Sequence, residues 1–545
     1  LFPANVLFSF KDYSVKIKFG IMRKLSTLVF VAVLLFLIAP VNQSLQAQNS
    51  STVKGVVFHD KNENGVFDSG DKLLKNIAVS NSRDVAVTNR KGEYELPLRD
   101  NSAIFVIKPR NWAVPVDENQ VPQFYKMYST TGISGTKYEG LSPTGPLPES
   151  VDFPLLPSEE PDKIKALIFG DTQPRDHQEI YYMSKDVIPE VIGTDADFGV
   201  TLGDVVFDDL SIYDHLTGSL SPIGVPMWYV AGNHDFDYTG NNSTEARGTW
   251  YKKFGPSYYS FSHGPAHFIV LDNVQWIIDG DERYYRTGLG EDQLEFFRNE
   301  LKRLDDDQLL VLMAHIPWEG SREWYDEAEK REFYNLLASH SNSVSLVAHT
   351  HRHYHHFIGQ ESGFPRSEPL HMISMGTVCG AWWTGAPNEF GIPHTMMSDG
   401  TPNGYAFLHI DKNNWKLEWK TAGVHENVQM HIHAPDAVSS ENEIKVIANI
   451  YNALPDAVVK MKIGDEGEWI KMKRTPQIDP VRLAEKEREN QLGEVPWRKM
   501  GGDQDSEHIW EASFKPDLKP GVHSIQVVAN DKWFEYKGEK LIHVN

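Results

Sequence analysis

The order of apolar and polar positions divides the chain into stretches with different rhythms. From Val53 to Leu98, short alternating runs (Val53–Phe58, Ile77–Ser80, Asp84–Thr88, Glu93–Leu98) are separated by Asn, Gly, Asp and Lys. Alternation bounded by turn residues predicts strands, and a small β-sandwich domain is expected over residues 50–140. A stretch with Pro143, Pro146, Pro148, Pro154, Pro157 and Pro161 follows, which predicts an extended, semi-rigid linker over 141–162. After Pro161 apolar strand runs alternate with amphipathic helices. Gly290 to Leu304 is one such helix: Leu294, Phe297, Leu301 and Leu304 share a face, and Glu and Asp occupy its first turn. This alternation predicts an α/β domain, helices packed on sheets, over residues 163–424. Beyond Gly423 the helical pattern fades. Glu443–Asn449, Val458–Ile463, His508–Phe514 and His523–Val528 read as strands of a β-rich domain over 425–545, with polar Lys471–Arg498 as an insertion or long loop.

At 545 residues the chain exceeds a single core, and roughly 100–200 residues per domain gives about three domains. A hydrophobic fraction of 40% is enough to build them. The net charge of -22 argues against a nucleic-acid scaffold or an anionic membrane surface as main partner. It also repels anionic substrates, so a phosphate site needs its own positive charge, which metal ions supply. The single cysteine, Cys379, excludes an intramolecular disulfide and a cysteine-based zinc ribbon.

Near the start, Met22, Arg23 and Lys24 precede a twelve-residue apolar run, Leu28–Ala39, and a small or polar segment ending Leu45-Gln46-Ala47. That order predicts a signal peptide over 22–47, with 1–21 as a non-native leader. Twelve residues fall short of the roughly 20 that span a bilayer. Export to the periplasm or outside is expected, with no stable membrane anchor.

Five polar motifs each follow a buried-strand run: Gly170-Asp171-Thr172-Gln173 after Lys165–Phe169, Gly203-Asp204 after Phe198–Leu202, Gly232-Asn233-His234-Asp235 after Met227–Val230, His315 after Leu309–Met313, and His349-Thr350-His351 after Val344–Val347. Ligands of open α/β sheets collect beyond the carboxyl ends of the strands, so these motifs are expected to converge. Their oxygen and nitrogen donors suit hard to borderline divalent metals, and suffice for two ions sharing a carboxylate. Two such ions clamp phosphoryl oxygens and lower the pKa of bound water to about 7. No Gly-Lys-Ser/Thr phosphate loop or Gly-x-Ser-x-Gly elbow competes with this reading.

In these motifs the chain resembles the calcineurin-like metallophosphoesterases, whose signature runs D-x-H, G-D, G-N-H-D/E, H and G-H-x-H. The resemblance implies a sandwich of two β-sheets flanked by helices, an α/β (α+β) fold, with small all-β domains at both ends as in three-part bacterial secreted enzymes. It implies that Asp204 bridges two metals, that Asp171, Gln173 and His351 complete the first site, and that Asn233, His315 and His349 complete the second. His234 would stabilise the transition state or protonate the leaving oxygen, oriented by Asp235. Gln173 stands where the family has His, and Ala348 where it has Gly. Carbonyl oxygen in place of imidazole favours Mn over Zn or Fe. The implied activity is in-line attack of metal-bound hydroxide on a phosphomonoester or phosphodiester, small molecule or polymer. The alternative is a glycan- or wall-binding protein with an inactive catalytic domain.

Arg175 and His177 lie close enough to the first motif to reach a phosphate. Trp318, Trp382 and Trp383 are candidates for an apolar leaving-group wall, with core packing as the rival. Asp208 is a candidate support for the site, and His353, His355 and His356 are expected in an exposed loop. In the first domain Asp60, Asn62, Asn64, Asp68 and Asp71 bracket Gly65 with the oxygen spacing of a calcium loop, so a structural calcium is expected there, against an ordinary acidic turn.

Overall fold

Strand Thr52–His59 buries Val53, Val57 and Phe58 and pairs antiparallel with Glu93–Pro97, Val53 opposite Leu96. The structure is a computed structural model describing residues 51–545 apart from Ser440, Asp465, Pro516 and Asp517; the expected leader and signal segment lie outside the described residues. A second small sheet runs in the order Val85–Val87, Ala78–Ser80, Ser102–Val106, Tyr125–Tyr128.

The stretch expected as a linker is only partly one. Phe153–Pro157 is a strand that pairs parallel with Thr52–His59 and antiparallel with Trp112–Ala113. The proline count hid a period-two apolar face: Val151, Phe153 and Leu155 are all buried. Gly55 permits the close approach, since a Cβ there would lie 1.8 Å from the Val151 carbonyl oxygen.

Two mixed sheets follow. One has the order Met227–Tyr229, Phe198–Thr201, Lys163–Phe169, Gly404–Asp411, Asn414–Thr421. The other runs Tyr259–His263, Ala266–Val270, Leu310–Met313, Ser343–Val347, Leu370–Ser374, Tyr354–Ile358. Aromatic side chains interlock between them: Trp228 stacks on Phe261 at 4.0 Å, and Phe198 meets Phe261 and Phe268 edge-on. Helices His177–Asp186 and Tyr213–Leu220 cover the first sheet through Ile180, Met183, Leu216 and Leu220. Helix Glu291–Leu301 begins at Gly290 and buries Leu294, Phe296 and Phe297; with Glu327–Ala338 it covers the second sheet.

The last part holds two further sheets around one core, including Ile444–Ile450, Val458–Ile463, Ile509–Phe514, Gly521–Asn530 and Glu535–Val544. The expected loop Lys471–Arg498 is corrected here. It contains helix Pro480–Gln491, started by the Asp479 carboxylate, which accepts from the amides of Val481 and Arg482, and by proline in the first turn. Its polar composition concealed it because it buries mainly Arg482 and Glu489. Among the described residues no helix is long and apolar enough to cross a membrane.

Candidate metal centre

Strands Lys163–Phe169, Phe198–Thr201 and Met227–Tyr229 run parallel, as do Ala266–Val270, Leu310–Met313, Ser343–Val347 and Leu370–Ser374. Parallel pairing aligns their carboxyl ends and delivers all five motifs to one place. The chain must turn sharply there. Gln173, Asp204, His349 and His351 have φ between 36° and 69°, left-handed backbone that costs a non-glycine residue of order 1–3 kcal/mol. Gly203, at φ 96°, lies against His315, whose Nδ1 would be 2.4 Å from a Cβ there.

Asp171, Gln173, Asp204, Asn233, His315 and His351 are all buried. One donor atom from each of Asp204, His315 and His349 falls within 4.8 Å of the others. His315 Nε2 lies 3.2 Å from Asp204 Oδ1 and 3.1 Å from Asn233 Oδ1, while its Nδ1 donates to the Leu202 carbonyl at 2.9 Å. His351 is arranged likewise, with Nδ1 at 2.6 Å from the Gly380 carbonyl and Nε2 at 3.3 Å from Asp171 Oδ2. A backbone carbonyl on Nδ1 fixes the tautomer that leaves Nε2 free to ligate. The Gln173 amide nitrogen donates to Asp204 Oδ2 at 2.8 Å, and its oxygen faces the Cys379 thiol at 3.8 Å.

The donor set fits divalent cations. Asp171 Oδ2 and His349 Nδ1 are buried without a hydrogen-bond partner, an arrangement that costs free energy unless something positive meets them. Burial lifts the Asp171 carboxyl above the usual carboxylate range. At Asp204 burial is outweighed by His315 and His234, which hold its carboxyl down. Burial also pushes the His349 imidazole well below its ordinary value and that of His351 down to about 4, so both are neutral. Neutral imidazoles beside carboxylates are the state in which such groups take a metal.

His234 stands beside this group. Its amide donates to Asp204 Oδ1 at 2.8 Å, its ring stacks on Phe207 at 4.3 Å, and Nδ1 meets Asp208 Oδ1 at 2.6 Å. Burial lowers its pKa, but Asp204 and Asp208 together raise it above the ordinary value.

Three family models match the chain: calcineurin-like phosphoesterase over residues 164–353, its N-terminal companion over 61–139, and its C-terminal companion over 373–536. The chain belongs to the calcineurin-like phosphoesterases. It has the three-part form, with N- and C-terminal extension domains, and the family's activity is metal-dependent hydrolysis of phosphoester bonds. The C-terminal match begins inside the catalytic sheets, since Gly404–Asp411 and Asn414–Thr421 complete the sheet that carries Asp171. No curated protein matches the chain. Among solved structures, the sulfur carrier protein SoxY from Chlorobium limicola f thiosulfatophilum is 11% identical, covering 22% of this chain and 79% of its own, with a TM-score of 0.13. An engineered protein is 9% identical, covering 68% of this chain and 71% of its own, with a TM-score of 0.15. Neither likeness carries an argument about fold.

Several expected roles in this phosphoesterase are corrected. Asp235 does not orient His234: its carboxylate accepts from Tyr213 Oη at 2.9 Å and the Gly232 amide at 2.8 Å, pinning the loop that carries Asn233, and Asp208 takes the histidine instead. Trp318 is fully buried, packed on Trp324 and Phe333 with Nε1 bonded to Ser345, and Trp383 is buried against Tyr182, so both are core. Trp382 alone reaches the centre, its ring 4.1 Å from that of His351. Arg175 is held by Glu179 and the Trp382 carbonyl, and His177 is exposed against His215. His353 and His355 are buried around Asn452, because strand Tyr354–Ile358 follows the last motif.

Tyr285 and Arg322 were absent from the sequence reading. The Tyr285 ring meets His349 edge-on at 6.0 Å, and Arg322 donates to its hydroxyl at 3.0 Å. Asn273 was also missed; its Oδ1 accepts from the amides of His315 and Ile316. These residues lie in a hairpin and loops whose pairing no short motif announces.

In the first domain the calcium-spaced residues do meet. Asn62 and Asn64 donate to Asp68, Asp60 accepts from the amides of Asn64 and Gly65, and Asp71 accepts from Lys61 and Asp68.

Proposed function

We propose that this protein is an exported phosphoesterase with a two-metal centre, cleaving a phosphomonoester or phosphodiester. The observation that carries the reading is the group of buried Asp171, Asp204, Asn233, His315 and His351 with half-buried His349, and His234 held by Asp208 at its edge. Divalent ions bound there would neutralise phosphoryl charge and make water nucleophilic at neutral pH. Asp171, Gln173 and His351 would hold one ion, Asn233, His315 and His349 the other, and Asp204 both. His234, whose pKa its carboxylate neighbours raise, is placed to donate a proton to the leaving oxygen. Arg322, exposed and steadied by Tyr285, offers a guanidinium to the remaining phosphoryl oxygens. Trp382 borders the leaving group. Export is supported by the apolar run Leu28–Ala39 behind Arg23 and Lys24.

The test is turnover of an aryl phosphate and its diester by metal-stripped protein given Mn, Zn, Fe or Mg. Restored turnover is expected, greatest with Mn. Full metal occupancy without turnover of any ester would favour the binding-protein reading.

A further inference from the structure

At the opposite end of the strand that carries Asp171, a cleft of about 670 Å³ lies between Lys163, the turn joining Gly404–Asp411 to Asn414–Thr421, and the turn bearing Lys532 and Trp533. With a strand rise of about 3.3 Å per residue, this is on the order of 25 Å from Asp171. It is therefore separate from the metal centre.

Its chemistry differs from that of the rest of the surface. The chain has a net charge of -22, yet Lys163, Lys416 and Lys532 line the cleft against one aspartate, Asp411, which Lys163 already pairs at 3.0 Å. His409, also in the lining, is paired with Glu418. Among the described residues neither Lys416 nor Lys532 has a carboxylate within ion-pair distance, although Glu418 attracts Lys416 at longer range. They rest over aromatic rings instead: Lys416 over Phe534 at 4.6 Å, and Lys532 over Trp533 at 5.1 Å and Trp415 at 5.7 Å. Such contacts are weak at exposed sites, so an anion can compete for these ammonium groups.

The two tryptophans meet at 5.0 Å and 61°, presenting a face and an edge. His371 fixes them from behind, stacked on Trp533 at 5.7 Å and 5.2 Å from Trp415. Rigid aromatic walls with a few polar groups are the make-up of a ligand site, and Asn413 and Asn414 add amides suited to hydroxyl groups.

We propose that this cleft is a second ligand site, for an anionic sugar unit bearing a phosphate or a carboxylate. Lys532 leaves the tryptophan face to pair with the anion, the sugar ring takes its place on the indole, and Lys416 closes on the same charge.

The test is calorimetric titration of the full chain carrying Asp204→Asn, which prevents hydrolysis. The probes are glucose 6-phosphate, trigalacturonate, maltotriose, inorganic phosphate and AMP. At least one anionic sugar is expected to bind tenfold or more tighter than maltotriose and inorganic phosphate; whichever leads identifies a phosphorylated or a carboxylated source. Lys532→Glu and Lys416→Glu should each weaken that binding at least tenfold, as should Trp533→Ala if it folds. Anionic sugars no tighter than maltotriose and phosphate, binding indifferent to both lysine changes, or AMP bound most tightly would overturn the proposal.

Discussion

In the candidate metal centre Asp204 takes the His234 amide and the Gln173 amide group and lies beside His315. Asp204→Asn or His349→Ala should abolish turnover and lower bound metal without unfolding the protein, as elemental analysis and circular dichroism would show. His234→Ala should cost about 10²–10⁴ in turnover with metals retained, and the loss should shrink for esters with acidic leaving groups. Asp208→Asn should reproduce part of it, about 10–100-fold, whereas Asp235→Asn should lower metal content first, because Asp235 braces the Asn233 loop. Equal behaviour of the two aspartate variants would refute this division of labour. Gln173→His places imidazole beside Asp204 and should shift preference from Mn towards Zn or Fe; unchanged affinity and preference would remove Gln173 from the ligands. At this scale the residues that the fold gathers at the candidate metal centre stand in the sequence as motifs behind strands. Asp208, Tyr285 and Arg322 answer to positions that folding alone brings together, and Asp235 was misread because adjacency in sequence suggested contact.

Helix Glu291–Leu301 shows why an element's pattern is easier to read than its polar contacts. Leu294 and Phe297 announced its buried face, but Glu300 is buried too, bonded to His267, Arg303 and Ser260. Burial opposes its ionisation, yet those partners win and hold the carboxyl down at about 2, against 4.5 ordinarily. A depressed carboxyl stabilises the fold above its unfolded pKa, and that contribution fades as pH falls from about 4.5 towards 2. Glu300→Gln should therefore flatten the acid side of the stability profile, read as urea midpoints at pH 5 and pH 3. If the two proteins lose stability in parallel, Glu300 is not the titrating group. The loop Asp60–Asp71 belongs to the same scale. Calcium should raise the melting temperature of the full chain by mass action, and Asp60→Ala should cancel the rise; no response would mark an ordinary turn. The strand Phe153–Pro157 was misread because its prolines masked an alternating apolar face, and helix Pro480–Gln491 because charge dominates it and few apolar positions mark its face.

Rhythm along the chain suggests a domain order, but not how closely the C-terminal part holds the loops beside the candidate metal centre. Arg482 is fully buried and donates to the carbonyls of Met396, Met397, Gly501 and Gly502 and to Asp503. Arg498 pairs with Glu179, and its carbonyl accepts from Gly385. Arg482→Ala leaves four carbonyls without their donor and Asp503 with Lys486 alone, and should cost at least about 1–3 kcal/mol, the scale for a buried acceptor left unpaired, with turnover falling as residues 379–401 lose their support. Unchanged stability in chemical denaturation would show the contact to be dispensable. The sole cysteine lies inside this clamped segment, buried within 3.8 Å of both Gln173 and His351. A thiol reagent reaches it only when the segment lifts, so the labelling rate of the unaltered protein is a clock for that opening, and a ligand or substitution that tightens the clamp slows it.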